Sequence, residues 1–307
     1  MDVFKRFELH NHTNESDAMI SCEMLIRRMV EDGVDCFAIT DHNTISGQPI
    51  IRKLLKESKL PIQCAYGMEY TTYFGHIVCP VLETCVPWTS INRHKPELLF
   101  EACKRSGAIT GIAHPFSYGE PFAQGCRFEM NIQDFSNVDY IEVMNAPEPL
   151  ITVNVPALLW WEELVLKGIR ISACAGMDMH RRKDRFAMKF ATYVEGAEGG
   201  DCVAELRTAL STQRVWISKG MLMDWHCDGE NIVFVLRDVK KPGFIPSDSY
   251  TLTLKSKTGV RKLDITEGTL TLPLCELSDV EIPKLYGGDD TWENLICVAP
   301  VIRKESL

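Results

Sequence analysis

FELHNHTNESD, residues 7–17, runs an apolar-led strand pattern straight into two histidines one residue apart, with a Ser-Asp pair four residues beyond the second. Side chains two apart on an extended segment share a face, so His10 and His12 can present two imidazoles to one point. The whole chain has eight histidines. Placing two of them at one strand end makes that end the origin for reading the rest.

Outward from this stretch, the pattern to about residue 220 alternates short apolar runs with amphipathic helical segments, the rhythm of strand-helix repeats around a parallel sheet or barrel. The strand-like runs are RFELH, CFAIT, PIQCAYGMEY, HIVCPVL, AITGIAH, YIEVMN and IRISACAGMD. SCEMLIRRMVEDG, KPELLFEACKRSG and VPALLWWEELVLKG read as helices closed by Gly33, Gly107 and Gly168. GDCVAELRTALSTQRVWISKG reads as a helix and then a strand. After Gly220 the texture becomes alternating and β-rich, with Lys-Thr-Gly as a hairpin turn. The expected organisation is therefore two units, 1–220 and a small antiparallel β-domain or extension over 221–307.

In a parallel α/β fold, functional side chains gather where strands run into their following loops. Those positions hold His10 and His12, Asp41 and His42, Glu69, His114, Glu142 and Asn145, and Asp178 and His180, while His76 stands at a strand start. His94 and His226 fall elsewhere. Taken singly, each has an ordinary reading: an H-x-H can be a surface pair, an Asp-His a turn, a His-Pro the start of a loop, and Glu142 with Asn145 a strand cap. Coincidence at six strand ends is not ordinary. Imidazole with carboxylate is the donor set of zinc, manganese and iron sites, and the candidates outnumber what one ion of about four to six ligands can use. The count points to about two or three divalent ions.

HNHTNESDA, ITDHNTISG, GMEYTTYFGH, IAHP and GMDMH together resemble, in that order, the signature of the polymerase and histidinol phosphatase (PHP) superfamily, over roughly residues 5 to 182. GMEYTTYFGH, STQRVWISKG and the tail ending NLICVAPVIR also resemble the carbaryl-hydrolase subgroup. The resemblance implies a distorted seven-stranded (βα) barrel of PHP type, with a small C-terminal β-rich domain and up to three metals at its rim. It implies that His10 and His12 hold a first metal with Glu69 and Asp178. Glu69 would bridge to a second metal held by His76 and His114, and Asp17, His42 and His180 would hold a third. Asp41 is then left to orient a ligand or to carry a proton.

The implied activity is hydrolysis of a small phosphomonoester or nucleotide-like phosphate by a metal-bound hydroxide, with no protein nucleophile. Metal-assisted hydrolysis of an amide, carbamate or ester is the alternative, with Tyr73, Phe74, Trp88 and Phe116 as wall candidates. A non-catalytic metal-binding interaction protein is the third. In RRKDR after His180, Arg185 is the candidate phosphate clamp. Acidic residues outnumber basic ones by 42 to 33, a formal charge of -9, and no long basic run is present, so long nucleic acid is not the expected partner. The N-terminus has no signal-peptide pattern and the chain has no stretch of about 18 apolar residues. Twelve scattered cysteines without a C-x-x-C pair read as buried reduced thiols. The expected setting is cytoplasmic, with no membrane contact. The tail can cover the barrel, shape substrate access or make a homo-oligomer contact.

Overall fold

The computed structural model describes residues 2–181 and 189–307. Its first part runs β1 (Asp2–Glu8), α1 (Cys22–Glu31), β2 (Cys36–Ile39), α2 (Gly47–Ser58), β3 (Gln63–Tyr66), β4 (Met68–Thr72), β5 (Gly75–Val81) and α3 (Glu97–Arg105). It continues with β6 (Ile109–Ile112), β7 (Tyr140–Asn145), α4 (Val155–Leu166), β8 (Ser172–Gly176), β9 (Ala191–Ala197), α5 (Cys202–Thr212) and β10 (Val215–Ser218). Local chemistry explains the helices. Ser21 caps α1 by accepting from the Met24 amide, and Cys22, Leu25, Ile26 and Met29 form its buried stripe at helical spacing. Asp201 caps α5 in the same way, accepting from Val203 and Ala204. Gly33, Gly107 and Gly168 stand just past α1, α3 and α4 with positive φ, where a side chain would be strained.

β1, β2 and β3 pair in parallel. So do β6, β7 and β8. β2, β6 and β8 are buried along their whole length, as parallel strands covered on both faces must be. The pairing does not confirm a closed seven-stranded (βα) barrel. The parallel strands fall in two sheets, because β4 and β5 form an antiparallel hairpin and β5 is also antiparallel to β6. The two sheets meet through isolated bridges instead, Asn11 with Met179 and His42 with Glu69. The Thr192 hydroxyl adds a side-chain link, donating to the Ala175 carbonyl at 3.0 Å and accepting from its amide at 2.9 Å. The architecture is mixed α/β with three sheets and, among the described residues, five α-helices.

The remaining strands are β11 (Met221–Asp228), β12 (Asn231–Asp238), β13 (Tyr250–Ser256), β14 (Gly259–Ile265), β15 (Thr269–Pro273), β16 (Val280–Gly287), β17 (Leu295–Val298) and β18 (Ile302–Arg303). β11, β12 and β15 form a small antiparallel sheet. β14, β13, β16 and β17 instead extend the first sheet through β10, so one sheet runs across residue 220. Glu162 on α4 is fully buried and receives the ammonium groups of Lys255 at 2.5 Å and Lys284 at 2.6 Å, tying that extension to the helix. All twelve cysteines are free thiols and eight are buried. No described helix is long and apolar enough to cross a membrane.

Candidate metal centre

The bridges that join the two sheets are also where the histidines meet. His10 and His12 follow β1, Asp41 and His42 follow β2, Glu69 lies in β4, His76 in β5, His114 follows β6, and Asp178 and His180 follow β8. His114 and Asp178 hold positive φ values of 25° and 47°, a conformation that non-glycine residues adopt at a cost and keep where the surroundings enforce it.

All nine nominated ligands converge. His10, His12 and Asp178 form one group, His10, Glu69 and His114 a second, His42, Glu69 and His76 a third, and His12, Asp17, His42 and His180 a fourth. Within each group the donor atoms lie within 4.8 Å of one another. The Glu69 carboxylate is central, with Oε2 at 3.2 Å from His10 Nε2 and 2.9 Å from His42 Nδ1, and Oε1 at 3.0 Å from His76 Nδ1 and 3.4 Å from His114 Nε2. Asp178 Oδ1 lies 3.1 Å from His12 Nε2, and Asp17 Oδ1 lies 3.2 Å from His180 Nε2 and 3.7 Å from His42 Nε2. The groups overlap at His10, His12, His42 and Glu69, so donors are shared among positions rather than divided into separate sets.

The same donors fit a cation on a separate ground. His10 Nε2, both ring nitrogens of His12, Glu69 Oε2 and Asp178 Oδ1 are buried and make no hydrogen bond. A buried polar atom left without a partner costs about 1–3 kcal/mol, and four of these, all but His12 Nδ1, stand 3.1–3.6 Å apart, nitrogen to oxygen, and call for a shared electropositive partner. Burial alone would raise Glu69, yet His10, His76 and His42 hold it well below the ordinary carboxylate range. Asp178 is held down in the same way by His10 and His12. Burial pushes His12 down to about 4, which keeps its ring neutral and able to donate lone pairs.

Two carboxylates beneath the donors position them. Glu142 Oε1 accepts from His10 Nδ1 at 3.0 Å, while its Oε2 accepts from the His114 amide at 3.0 Å and from Asn145 Nδ2 at 3.1 Å. Asn145 Nδ2 also reaches Asp178 Oδ2 at 3.4 Å. Glu8 accepts from the amides of His10 at 3.1 Å and Met177 at 2.7 Å, and burial pushes its carboxyl up to about 8. Glu8 is absent from the residues nominated by sequence. The available signal was its spacing, since Glu8, His10 and His12 alternate onto one face. Asp41 is buried and turned into the 13–16 loop, accepting from Thr13 N at 2.6 Å, Thr13 Oγ1 at 2.8 Å and Ser16 Oγ at 2.8 Å. It therefore anchors the loop that delivers Asp17. His94 and His226 stand away from the cluster, and Arg185 lies outside the described residues.

Comparison with known proteins points the same way. The PHP domain family matches residues 8–123. The 5'-3' exoribonuclease Rnm of Salmonella typhimurium is 38% identical over 66 residues, 22% of this chain and 22% of that protein, so the match spans about a fifth of the relative's length. An uncharacterized protein of Methanocaldococcus jannaschii is 29% identical over 121 residues, 36% of this chain and 67% of that protein. Among solved structures, a two-domain protein from Bacteroides vulgatus, described as containing a predicted PHP-like metal-dependent phosphoesterase, superposes with a TM-score of 0.59 at 14% identity. That superposition covers 98% of this chain and 96% of the other, and it speaks for the fold. The matched family segment holds His10 through His114, and the fold brings Asp178 and His180 to the same point from beyond it. The motifs, the converging donors and the family match agree over residues 8–123, where the chain carries a PHP domain.

Proposed function

We propose that this protein is a metal-dependent phosphoesterase that hydrolyses a small phosphomonoester or nucleotide-like phosphate. The observation that carries the reading is the set of nine converging donors with buried, unpartnered lone pairs. His10, His12, Asp17, His42, Glu69, His76, His114, Asp178 and His180 would hold the ions, about two or three in number, with Glu69 shared among positions. Divalent ions bound there lower the pKa of water to near neutrality and offset charge that builds on phosphoryl oxygens.

The chain's own residues set the direction of approach. His10, His12 and Glu69 are sealed from solvent, whereas the side chains of Asp17, His42 and His180 are 59%, 22% and 29% exposed. Substrate therefore meets the Asp17–His42–His180 edge first. Glu142 holds its proton partner at Nδ1 of His10, which leaves Nε2 to face Glu69 and Asp178. The two sheets read as the walls of an opened, distorted barrel with this cluster at its rim, and residues 221–307 as the β-rich unit packed against it. The free thiols fit a reducing, cytoplasmic setting.

The first measurement is metal content of protein purified without chelator, followed by phosphate release from a phosphoester and nucleotide panel after restoring zinc, manganese or iron. Bound divalent ions together with phosphate release are expected. Metal-loaded protein that releases no phosphate from any member of the panel would defeat the reading. Hydrolysis of an amide, carbamate or ester is the second reading, favoured by a cavity of about 260 Å³ beside His114 whose walls are Pro115, Phe116, Phe128, Met130 and Trp160, apolar apart from Arg127.

A further inference from the structure

On the Asp178 side of the cluster lies a separate cavity of about 160 Å³. At about 30 Å³ per water it has room for about five, enough for a carboxylate or phosphate with a short linker. Its wall includes Asn145, whose amide nitrogen already touches Asp178 at 3.4 Å and Glu142 at 3.1 Å, so the cavity adjoins the candidate metal centre through one side chain. Asn154 fixes that side chain's backbone, donating to the Asn145 carbonyl at 3.0 Å and accepting from its amide at 2.9 Å. Asn145 itself is fully buried, yet its Oδ1 has no hydrogen-bond partner. Buried acceptors are ordinarily satisfied, and this one lines a cavity large enough to bring it a donor.

Two lysines face the same space. Lys189 Nζ donates to the Ala146 carbonyl at 3.2 Å, and Lys219 Nζ lies 4.9 Å from the centre of the Phe190 ring and 3.5 Å from the Glu293 carbonyl oxygen. Neither has a carboxylate partner among the described residues. Burial without an acidic neighbour holds the Lys219 ammonium below its ordinary value, a cost that a bound anion removes. Glu148 also lines the cavity, but its carboxylate is engaged by the Ser117 hydroxyl. Phe190 and Leu150 supply apolar wall between the polar groups.

We propose that this cavity is an anion subsite: Lys189 and Lys219 bind a carboxylate or phosphate carried at the far end of the substrate, and Asn145 accepts a hydrogen bond from the linker. The substrate class is thereby narrowed to small phosphoesters that bear a second anionic group. This rests on the reading of the neighbouring cluster as a hydrolytic centre, and it assigns binding and specificity, not chemistry, to the two lysines.

The test compares phenyl phosphate with 3- and 4-carboxyphenyl phosphate on the metal-loaded full chain, in native form and as Lys189→Met/Lys219→Met. In native protein the better carboxylate ester is expected to exceed phenyl phosphate in kcat/KM by about tenfold or more through a lower KM, the scale of a charge-assisted hydrogen bond, and in the double variant that ratio falls toward one. In parallel, native protein is acetylated sparingly and Lys219 labelling is read by mass spectrometry with each ester present. Protection by a carboxyphenyl phosphate but not by phenyl phosphate supports the subsite. An equal kcat/KM for the esters in native protein, with Lys219 labelled alike under both, overturns it. Should no ester release phosphate, the hydrolytic reading fails and the labelling alone decides the subsite. If the double variant does not fold, Lys219→Gln replaces it.

Discussion

Glu142 has no exposed surface to gain from its position and no apolar reason to be there, so its three hydrogen bonds explain its presence. It fixes the ring of His10 and the backbone of His114, donors that belong to different strands. Glu142→Ala is expected to weaken divalent metal affinity by about 10–100-fold, the usual scale for losing a carboxylate behind a metal-binding histidine. Competition against a chromogenic chelator reads this directly, and Glu142→Gln should recover part of the loss by retaining an acceptor. Affinity unchanged in the alanine variant would show that His10 needs no such support. Gly176 is tied to the same carboxylate. A Cβ there would collide with Glu142 Oε1 and stand 2.7 Å from the His10 Cβ. Gly176→Ala is therefore expected to destabilise the fold by about 1–3 kcal/mol, as overpacking does, and to lower metal affinity as well. Urea unfolding of the metal-free variant separates the first effect from the second, and a variant as stable as the native protein would show that Glu142 moves freely.

At the scale of elements, the bridges Asn11–Met179 and His42–Glu69 are made by residues that are themselves donors or stand beside donors. Ions held by the cluster would therefore clamp β1, β2, β4 and β8 together across two sheets. At free metal about one hundred times Kd the folded state gains about 2.7 kcal/mol, so chelation is expected to lower Tm by about 5–10 °C. It should also speed amide exchange at residues 10–13, 40–43 and 176–180, where few other bonds hold the backbone across the gap. Uniform loss of protection over the whole chain would mean that the ions stabilise the molecule without clamping these ends. This level is also where sequence legibility changes. The strand-to-loop positions of His10, His42, His114 and Asp178 could be read because alternation, capping and closing glycines are local signals. The sharing of His12 and His42 between groups could not, because it depends on how far apart the strand ends sit. The antiparallel turn of β5 was equally hidden. Beyond His76, GHIVCPV is an apolar run buried along its length, and such a run has no alternation to tell a parallel strand from an antiparallel one. Asp41 stands next to His42 in sequence, yet its side chain turns into the 13–16 loop, a direction that neighbouring residue types do not specify.

Across the whole molecule, residue 220 separates two textures of sequence, but one sheet crosses it through the β10–β17 ladder. The second tie is Glu162. It lies on α4 of the first part, and both cations that meet it come from β13 and β16 of the second. Lys284 has only 5% of its side chain exposed and Glu162 none, so the pair is shielded from water and salt. Removing one partner of a buried pair leaves the other charge without compensation, a loss of about 3–5 kcal/mol. Glu162→Ala is expected to lower stability by that amount in urea, measured by far-ultraviolet circular dichroism and by tryptophan fluorescence. The native protein should give coincident transitions by the two probes, because Trp160 and Trp161 lie on α4 of the first part while Trp216 and Trp225 lie on β10 and β11 at the junction with the second. In the variant the fluorescence transition should move to lower urea and part from the other, as the sheet extension releases the helix. A coincident transition shifted by less than about 1 kcal/mol would place the coupling in the β10–β17 ladder alone, since exposed ion pairs contribute no more than that.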